Sequence, residues 1–303
     1  MSTIELAGAS RWYGNVVAVN DVTLSIRPGL TGLLGPNGAG KTTVLHMMAG
    51  LMAPSQGEVL VDGRPAWRNP AVYRDLGLVT ERESVPGFLT AWEFVLASAK
   101  LHKLPDPASA ARAALAVVEL QDAQDRRIST YSKGMRQRSR VAAALVHEPS
   151  VLLLDEPFNG MDPRQRMHMM ELLDGMADAG RTIVFSSHIL EEVEQLSGTV
   201  QVIVSGRLAA SGDYRHIRRL MTNRPHVFAI SSSDDRALAT ALMGQVSVSG
   251  VSITGAGLQV HASDYGEFTR ALAGLARARG IRLTAVLPSD ESLEKVFSYL
   301  VTT

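Results

Sequence analysis

The chain contains no cysteine. That excludes a disulfide scaffold, a thiolate metal site and a cysteine nucleophile, and it fits a reducing compartment. Nor is there a net charge, since 30 basic residues balance 30 acidic ones. A balanced chain does not hold nucleic acid by bulk electrostatics, although a local basic patch stays open. The start, Met1-Ser2-Thr3-Ile4-Glu5, lacks a basic segment followed by an apolar run, so no secretory signal is expected. The longest stretch without Asp, Glu, Lys or Arg lies between Arg236 and Asp264. It alternates Val with Ser and is rich in Gly, which suits strands and not a membrane-spanning helix. By itself the chain reads as soluble and cytoplasmic. No repeat or low-complexity tract is visible. What is there is an ordinary globular composition, 46% apolar and 20% charged over 303 residues. That length has room for two compact domains, or for one large domain with an appendage.

Hydrophobic patterning alternates strands with helices. Short strands and turns fill residues 4–28, and Leu30 to Gly35 is an apolar strand ending in a Gly-rich turn. A helix is predicted for Lys41–Leu51, stopped by Pro54-Ser55-Gln56-Gly57. Val59-Leu60-Val61 followed by Asp62-Gly63 reads as strand and turn. From about Thr90 to Val146 the pattern is mostly helical, with helices at Trp92–Leu101, Ala108–Leu120 and Lys133–Val146. Val151-Leu152-Leu153-Leu154 is an uninterrupted apolar strand of the kind buried on both faces of a parallel sheet. A helix (Arg164–Ala179), a β-rich run (Thr182–Ser186) and another helix (Leu190–Leu196) follow. The class is a layered α/β core. Around Ser211–Pro225 the pattern weakens and a basic cluster appears, Arg215, Arg218, Arg219 and Arg224; a domain boundary is expected there. The remainder reads βαββαβ, a small α+β module like a split βαβ unit. It closes on an amphipathic helix with Leu293, Val296, Phe297 and Leu300 on one face.

Three segments carry chemistry. Gly35-Pro36-Asn37-Gly38-Ala39-Gly40-Lys41-Thr42 is a complete phosphate-binding loop, placed after a strand and opening a helix. Its glycines allow a turn whose N–H groups point at phosphate oxygens, and the helix adds its positive end. Lys41 would reach the β/γ-phosphates and Thr42 would offer a hydroxyl to Mg²⁺; Thr43 joins the candidate contacts. The apolar strand ending in Asp155-Glu156 delivers two carboxylates where ligands bind in open α/β sheets. Asp155 would hold Mg²⁺, and Glu156 would act as general base towards water. The third segment, Tyr131-Ser132-Lys133-Gly134-Met135, reads as a capped helix start, which is either an anion site or simply a well-capped helix.

Together these residues resemble the ATPase subunit of an ATP-binding-cassette (ABC) transporter, of the bacterial export-type (ABC-2-like) kind. Gly35–Thr42 resembles that family's Walker A motif, Leu152–Glu156 its Walker B motif and Ser132–Met135 its signature motif. Asn159-Gly160-Met161-Asp162 is similar to the D-loop, His188 to the switch histidine, and Tyr13 to the aromatic that stacks on adenine. The likeness covers about residues 3–212. It implies a P-loop NTPase cassette at 1–215, with a RecA-like core, an antiparallel β subdomain and a helical subdomain at about 85–148. An accessory domain at 220–303 would follow. It also implies ATP and Mg²⁺ as ligands, and a homodimer in which Ser132 and Gly134 of one copy contact the γ-phosphate held by the other. Asp162 would lie at that seam, and His188 would position the attacking water. The partners would be a membrane permease and a second copy, not nucleic acid, and the location the cytoplasmic face of the membrane.

The pattern departs from the family at Glu81, where a Gln is usual; Glu81 can still accept from a Mg²⁺-bound water while adding negative charge. Lys133 replaces a common Gly, and Trp12 beside Tyr13 leaves open which ring stacks. With Glu81, the start of the helical segment would form the permease groove, for which Phe88, Leu89, Trp92 and Phe94 are candidates. Met161, Met167, Met169, Met170 and Met176 read as adaptable packing. In the C-terminal module Asp234-Asp235, Asp264 and Glu267 read as solvated turns, and His226 and His261 lack a metal-ligand pattern. The closing Glu291–Phe297 segment resembles tails of subunits paired with export permeases. The alternative is a soluble cassette ATPase acting on a nucleic acid or ribosome without a permease. Only about 90 residues separate Lys41 from Ser132, too few for the long coiled coils of repair and chromosome types. One phosphate loop also falls short of the two cassettes of translation types.

Overall fold

The computed structural model describes residues 2–82, 85–221 and 225–301, and it divides between Ser211 and Gly212 into two compact units. In the first unit, alternating apolar residues make β1 (Ile4–Tyr13) and β2 (Val16–Ile26), which pair antiparallel with Ile4 opposite Ile26 and Leu6 opposite Leu24. Next come β3 (Gly29–Leu34), α1 (Lys41–Met48), β4 (Gln56–Val61), β5 (Arg64–Pro65), α2 (Pro70–Arg74) and β6 (Leu76–Val79). β1, β2, β4 and β5 form a four-stranded sheet in the order β2-β1-β4-β5. Its inner face (Ile4, Leu6, Val19, Val59, Val61) shares one core with α1 and with Val151, Leu153 and Val184 of the larger sheet described below.

Helix α1 stops at Met48, short of the predicted Leu51. The cause is Gly50, whose φ is +65° and whose Cβ, were one added, would lie 2.2 Å from the Ala66 carbonyl oxygen. Gln56 and Gly57, expected in a turn, belong to β4.

Three helices then pack together: α3 (Ala91–Leu101), α4 (Pro107–Val117) and α5 (Lys133–Leu145). Thr90 and Glu93 form a reciprocal capping box on α3, Asp106 caps α4, and Ser132 caps α5. The end of α4 comes three residues before the predicted Leu120, because Glu119 turns left-handed at φ 55°. The buried Arg138 guanidinium donates to the Val118 and Glu119 carbonyls and so closes that helix end.

The remaining elements of this unit are β7 (Val151–Asp155), α6 (Pro163–Asp178), β8 (Thr182–Ser186), α7 (Leu190–Leu196), β9 (Thr199–Val204) and β10 (Arg207–Asp213). They complete a six-stranded sheet in the order β10-β9-β3-β8-β7-β6. Strands β3, β6, β7, β8 and β9 run parallel, and every residue of β7 and β8 is buried, as continuous apolar strands require.

The second unit opens with α8 (Tyr214–Leu220), where the sequence pattern gave no element. Asp213 caps this helix, and Arg218 within it is wholly buried. The Arg218 guanidinium pairs with Asp290, 72 residues away, which is why a local pattern does not reveal the helix. Arg219 pairs likewise with Glu291; Arg224 of the same basic cluster lies outside the described residues. Then follow β11 (His226–Ser232), α9 (Asp235–Leu242), β12 (Val248–Thr254), β13 (Gly257–Ala262), α10 (Tyr265–Ala278), β14 (Leu283–Pro288) and α11 (Leu293–Val301). The sheet is antiparallel, β12-β13-β11-β14, with Phe228, Ile230, Leu258 and Val260 packed on Leu238, Phe268 and Leu272. Asp234 and Asp264 are exposed, as expected of solvated turns, and in addition cap α9 and α10, while Asp235 accepts from Ser232. Among the described residues no helix is long and apolar enough to cross a membrane.

One junction of the first unit titrates. His102, which caps the end of α3, stacks on His147, which follows α5, with ring centroids 3.7 Å apart. His147 Nε2 lies 3.1 Å from the Leu76 carbonyl of β6. Burial, followed by the neighbouring His102, pushes the His147 pKa from 6.5 down to about 4. Between those values the unfolded chain takes up a proton that the folded chain does not, so stability falls as pH drops through that window. Chemical denaturation from pH 7.5 to pH 4 is expected to show this loss. In His147→Gln the acid limb should flatten; an unchanged limb would contradict the assignment.

Candidate functional site

The loop Gly35–Gly40 leaves β3 at the carboxyl end of the parallel strands and runs into α1. Two of its glycines are required by close backbone approach. A Cβ on Gly35 would sit 2.2 Å from the Ile203 carbonyl oxygen. One on Gly40, whose φ is +105°, would sit 2.5 Å from that of Ala18. The Gly206 N–H, in the turn between β9 and β10, donates to the Ala39 carbonyl and fixes the loop from a third side. The loop borders a cavity of about 350 Å³ lined by Asn37–Thr43, Glu81, Asp155 and Glu156.

Lys41 Nζ donates to the Gly35 carbonyl at 2.7 Å and to that of Pro36 at 3.2 Å. Burial lowers its pKa, while Glu156, Asp155 and Glu81 pull it back up. The buried Asp155 accepts from Thr42 Oγ1 through Oδ2 (2.8 Å) and from Ser186 Oγ through Oδ1 (2.6 Å). Glu156 is left-handed, at φ 52°, a conformation that costs a residue with a Cβ about 1–3 kcal/mol. Its N–H donates to Ser186 Oγ at 3.0 Å, and its Oε2 lies 2.8 Å from His188 Nδ1. Burial raises the Glu156 pKa, whereas the hydrogen bond and charge of His188, and then Lys41, hold it down. A carboxylate with raised basicity beside an exposed imidazole can accept a proton from water.

The donor set fits Mg²⁺. Thr42, Asp155 and Glu81 offer hard oxygens at one cavity, whose lining has no sulfur and no imidazole. One lysine faces three carboxylates there, so a polyphosphate entering alone would meet excess negative charge that a divalent cation offsets.

Several candidate residues stand apart from this cavity. Ser132 is exposed and accepts from the Met135 N–H at 3.2 Å, as the N-cap of α5. Gly134 presses on the segment that follows β7: a Cβ there would lie 2.5 Å from Gln165 Oε1 and 3.1 Å from the Gly160 carbonyl oxygen. Asp162 caps α6 by accepting from the Gln165 N–H at 2.9 Å. The cap and the segment beside it are thus tied to each other and not to the chain's own phosphate loop. Tyr13 is also outside the cavity lining; its hydroxyl donates to Met52 Sδ at 2.9 Å and its ring lies under Arg11. Trp12 and Tyr13 are both exposed and so are not core. Phe88 is exposed, and Leu89, Trp92 and Phe94 are half-buried. Of the methionines, Met161, Met169 and Met170 are buried and Met167 is exposed.

Two residues escaped the sequence reading. Ser186 joins the Asp155 carboxylate to the Glu156 backbone N–H, and Glu192 links Ser187 (2.6 Å) to Arg166 of α6 (3.3 Å). The only local signal was a hydroxyl closing the apolar run of β8, opposite Asp155 in register.

A family model described as ABC transporter matches residues 19–159. The daunorubicin/doxorubicin resistance ATP-binding protein DrrA of Streptomyces peucetius is 32% identical over 302 residues, 97% of this chain and 91% of that protein. The chain belongs to the ABC transporter family. It is the ATP-binding, ATP-hydrolysing subunit of an ABC transporter, as the motifs led us to expect. Two more relatives agree. The bacitracin transport ATP-binding protein BcrA of Enterococcus faecalis is 33% identical over 98% of this chain and 96% of its own length. An ABC transporter ATP-binding protein of Nostoc sp. is 39% identical, over 65% of this chain and 60% of that protein. A solved structure, the ATP-binding subunit of an ABC transporter, superposes with a TM-score of 0.65 at 28% identity, covering 71% of this chain and 92% of that one.

In this ABC subunit, Lys41→Ala is expected to weaken ATP binding by about 10- to 100-fold, the equivalent of one charged hydrogen bond. Titration with a fluorescent ATP analogue checks it, and unchanged affinity would contradict the role of the loop.

Proposed function

We propose that two copies of this chain bind two ATP at a shared seam and drive a membrane permease. What supports this most is the location of Ser132 and Gly134: Ser132 is the exposed N-cap of a helix start, the kind of feature that binds anions, with Gly134 buried two residues on, and neither lines the chain's own phosphate cavity. A second copy brings Ser132 and Gly134 to the γ-phosphate cradled by Gly35–Thr43 and Lys41. Asp162, beside Gly134, then lies at the same seam.

Within each half-site, Lys41 and the loop N–H groups orient the phosphates, and Glu156 takes the proton of the attacking water. His188, hydrogen-bonded to Glu156, holds that carboxylate in place. Thr42 and Asp155 would hold Mg²⁺, with Glu81 contacting it through water, and the ion would supply charge neutralisation between the β- and γ-phosphates. Tyr13 stacks on adenine. Closing the pair on ATP and opening it after hydrolysis moves the permease, which docks on the groove beside Glu81 and Phe88, with the chain peripheral at the cytoplasmic face of the membrane. Export is the direction favoured, because DrrA, named for drug resistance, matches nearly end to end, through the second unit as well as the cassette. The domain division follows the same reading: a cassette over 1–215, and over 220–303 a module that serves as an appendage.

Glu156→Gln should retain ATP binding, lose turnover by at least about 100-fold, and become dimeric when ATP is added. Light scattering and phosphate release measure both. A normal hydrolysis rate would contradict the general-base assignment. Co-purification from solubilised membranes tests the partner; a chain found with ribosomes or DNA and no permease would favour the soluble alternative.

A further inference from the structure

We infer that Ser186 is a positioning residue for ATP hydrolysis, one hydroxyl that holds Asp155 and Glu156 in register with each other. The inference rests on the reading of Glu156 as the general base.

Ser186 ends β8, opposite Asp155 at the end of β7, and is wholly buried. Its hydroxyl has one proton to give and lone pairs to accept with. The proton goes to Asp155 Oδ1 at 2.6 Å, since a carboxylate can only accept. The lone pair takes the Glu156 N–H at 3.0 Å, since an amide can only donate. The hydroxyl is therefore oriented without ambiguity, and removing it frees both neighbours at once.

Each neighbour needs the anchor. Asp155 has one other side-chain partner, Thr42, which is itself a candidate for holding the metal, whereas Ser186 is not. A carboxylate with a single anchor turns readily about its terminal torsion, which has no sharp rotamer wells. Glu156 sits left-handed at φ 52° before Pro157, whereas a residue preceding proline favours extended backbone. Its peptide plane is held by Ser186, and that plane sets where the Glu156 side chain leaves the backbone to meet His188. The adjacent Ser187 cannot substitute, because its hydroxyl is committed to Glu192 at 2.6 Å.

The test compares the full chain with Ser186→Ala, Ser186→Thr, Ser186→Val and Glu156→Gln. Losing a group that orients the reacting residues costs about 10- to 100-fold. Ser186→Ala should lose that much in kcat, with KM and the affinity for a fluorescent ATP analogue within about twofold of wild type; its melting transition should stay cooperative, at a somewhat lower temperature because a buried carboxylate loses one hydrogen bond. Thr and Val have nearly the same shape and differ by the hydroxyl, so Ser186→Thr should recover most of kcat and Ser186→Val should not. The inference is overturned if Ser186→Ala keeps kcat within about twofold, if the loss falls on KM or nucleotide affinity instead, or if Val serves as well as Thr. Normal turnover by Glu156→Gln would remove the base assignment and this inference with it. A dead Glu156→Gln beside a fully active Ser186→Ala would overturn this inference alone.

Discussion

The hydrogen bonds of the Asp155 carboxylate are the constraint on which the cassette depends. A buried carboxylate must replace its lost hydration, and here two hydroxyls do so, Thr42 from α1 and Ser186 from β8. Because those hydroxyls come from separate elements, satisfying one charge also sets the phosphate loop against β7 and β7 against β8. The apolar runs of β7 and β8 supply the burial energy and are indifferent to a small slide. The acid at the end of one and the serine at the end of the other are not, since a slip of one residue would leave the charge without partners.

The same geometry divides the chemistry between two places. Phosphate-loop and carboxylate groups gather at one cavity, where a lysine is outnumbered by acids, and His188 is hydrogen-bonded to one of them, Glu156. The capped start of α5 stands away from it, pinned by Gly134 to the segment that follows Glu156. A Cβ at Gly134 would force the two apart, so the glycine is explained by this packing without reference to any ligand. In the proposed function, a copy of the same chain would bring its capped helix start to the phosphate cradle of this one. Glu192, joining Arg166 behind the cap of α6 to Ser187 beside His188, gives a short physical route between those two places.

How much was legible in the sequence follows the range of the interactions. Gly35–Thr42, Val151–Glu156 and the capped start at Ser132 were readable because backbone geometry and local hydrogen bonds determine them within a few residues. The boundaries at Met48 and Val117 were not, because they depend on left-handed turns at Gly50 and Glu119, and the turn at Gly50 is imposed by the Ala66 carbonyl. α8 was invisible for the same reason on a longer scale: Arg218 looks like a surface residue until Asp290 is folded against it. Ser186 was passed over because a single serine after an apolar run carries no meaning until its register with Asp155 is known. Asp234 and Asp264 look like solvated turn residues in one dimension and act as helix caps in three.

The central claim, that each copy completes the other's nucleotide site, is tested most directly by cross-linking, which the absence of native cysteine makes clean. Ser132→Cys and Asn37→Cys would be combined in one hydrolysis-deficient chain and treated with a short bis-maleimide, with and without ATP. The account predicts a covalent dimer that forms only with ATP and joins position 132 of one copy to position 37 of the other. A link within a single chain, or equal yields with and without ATP, would contradict it.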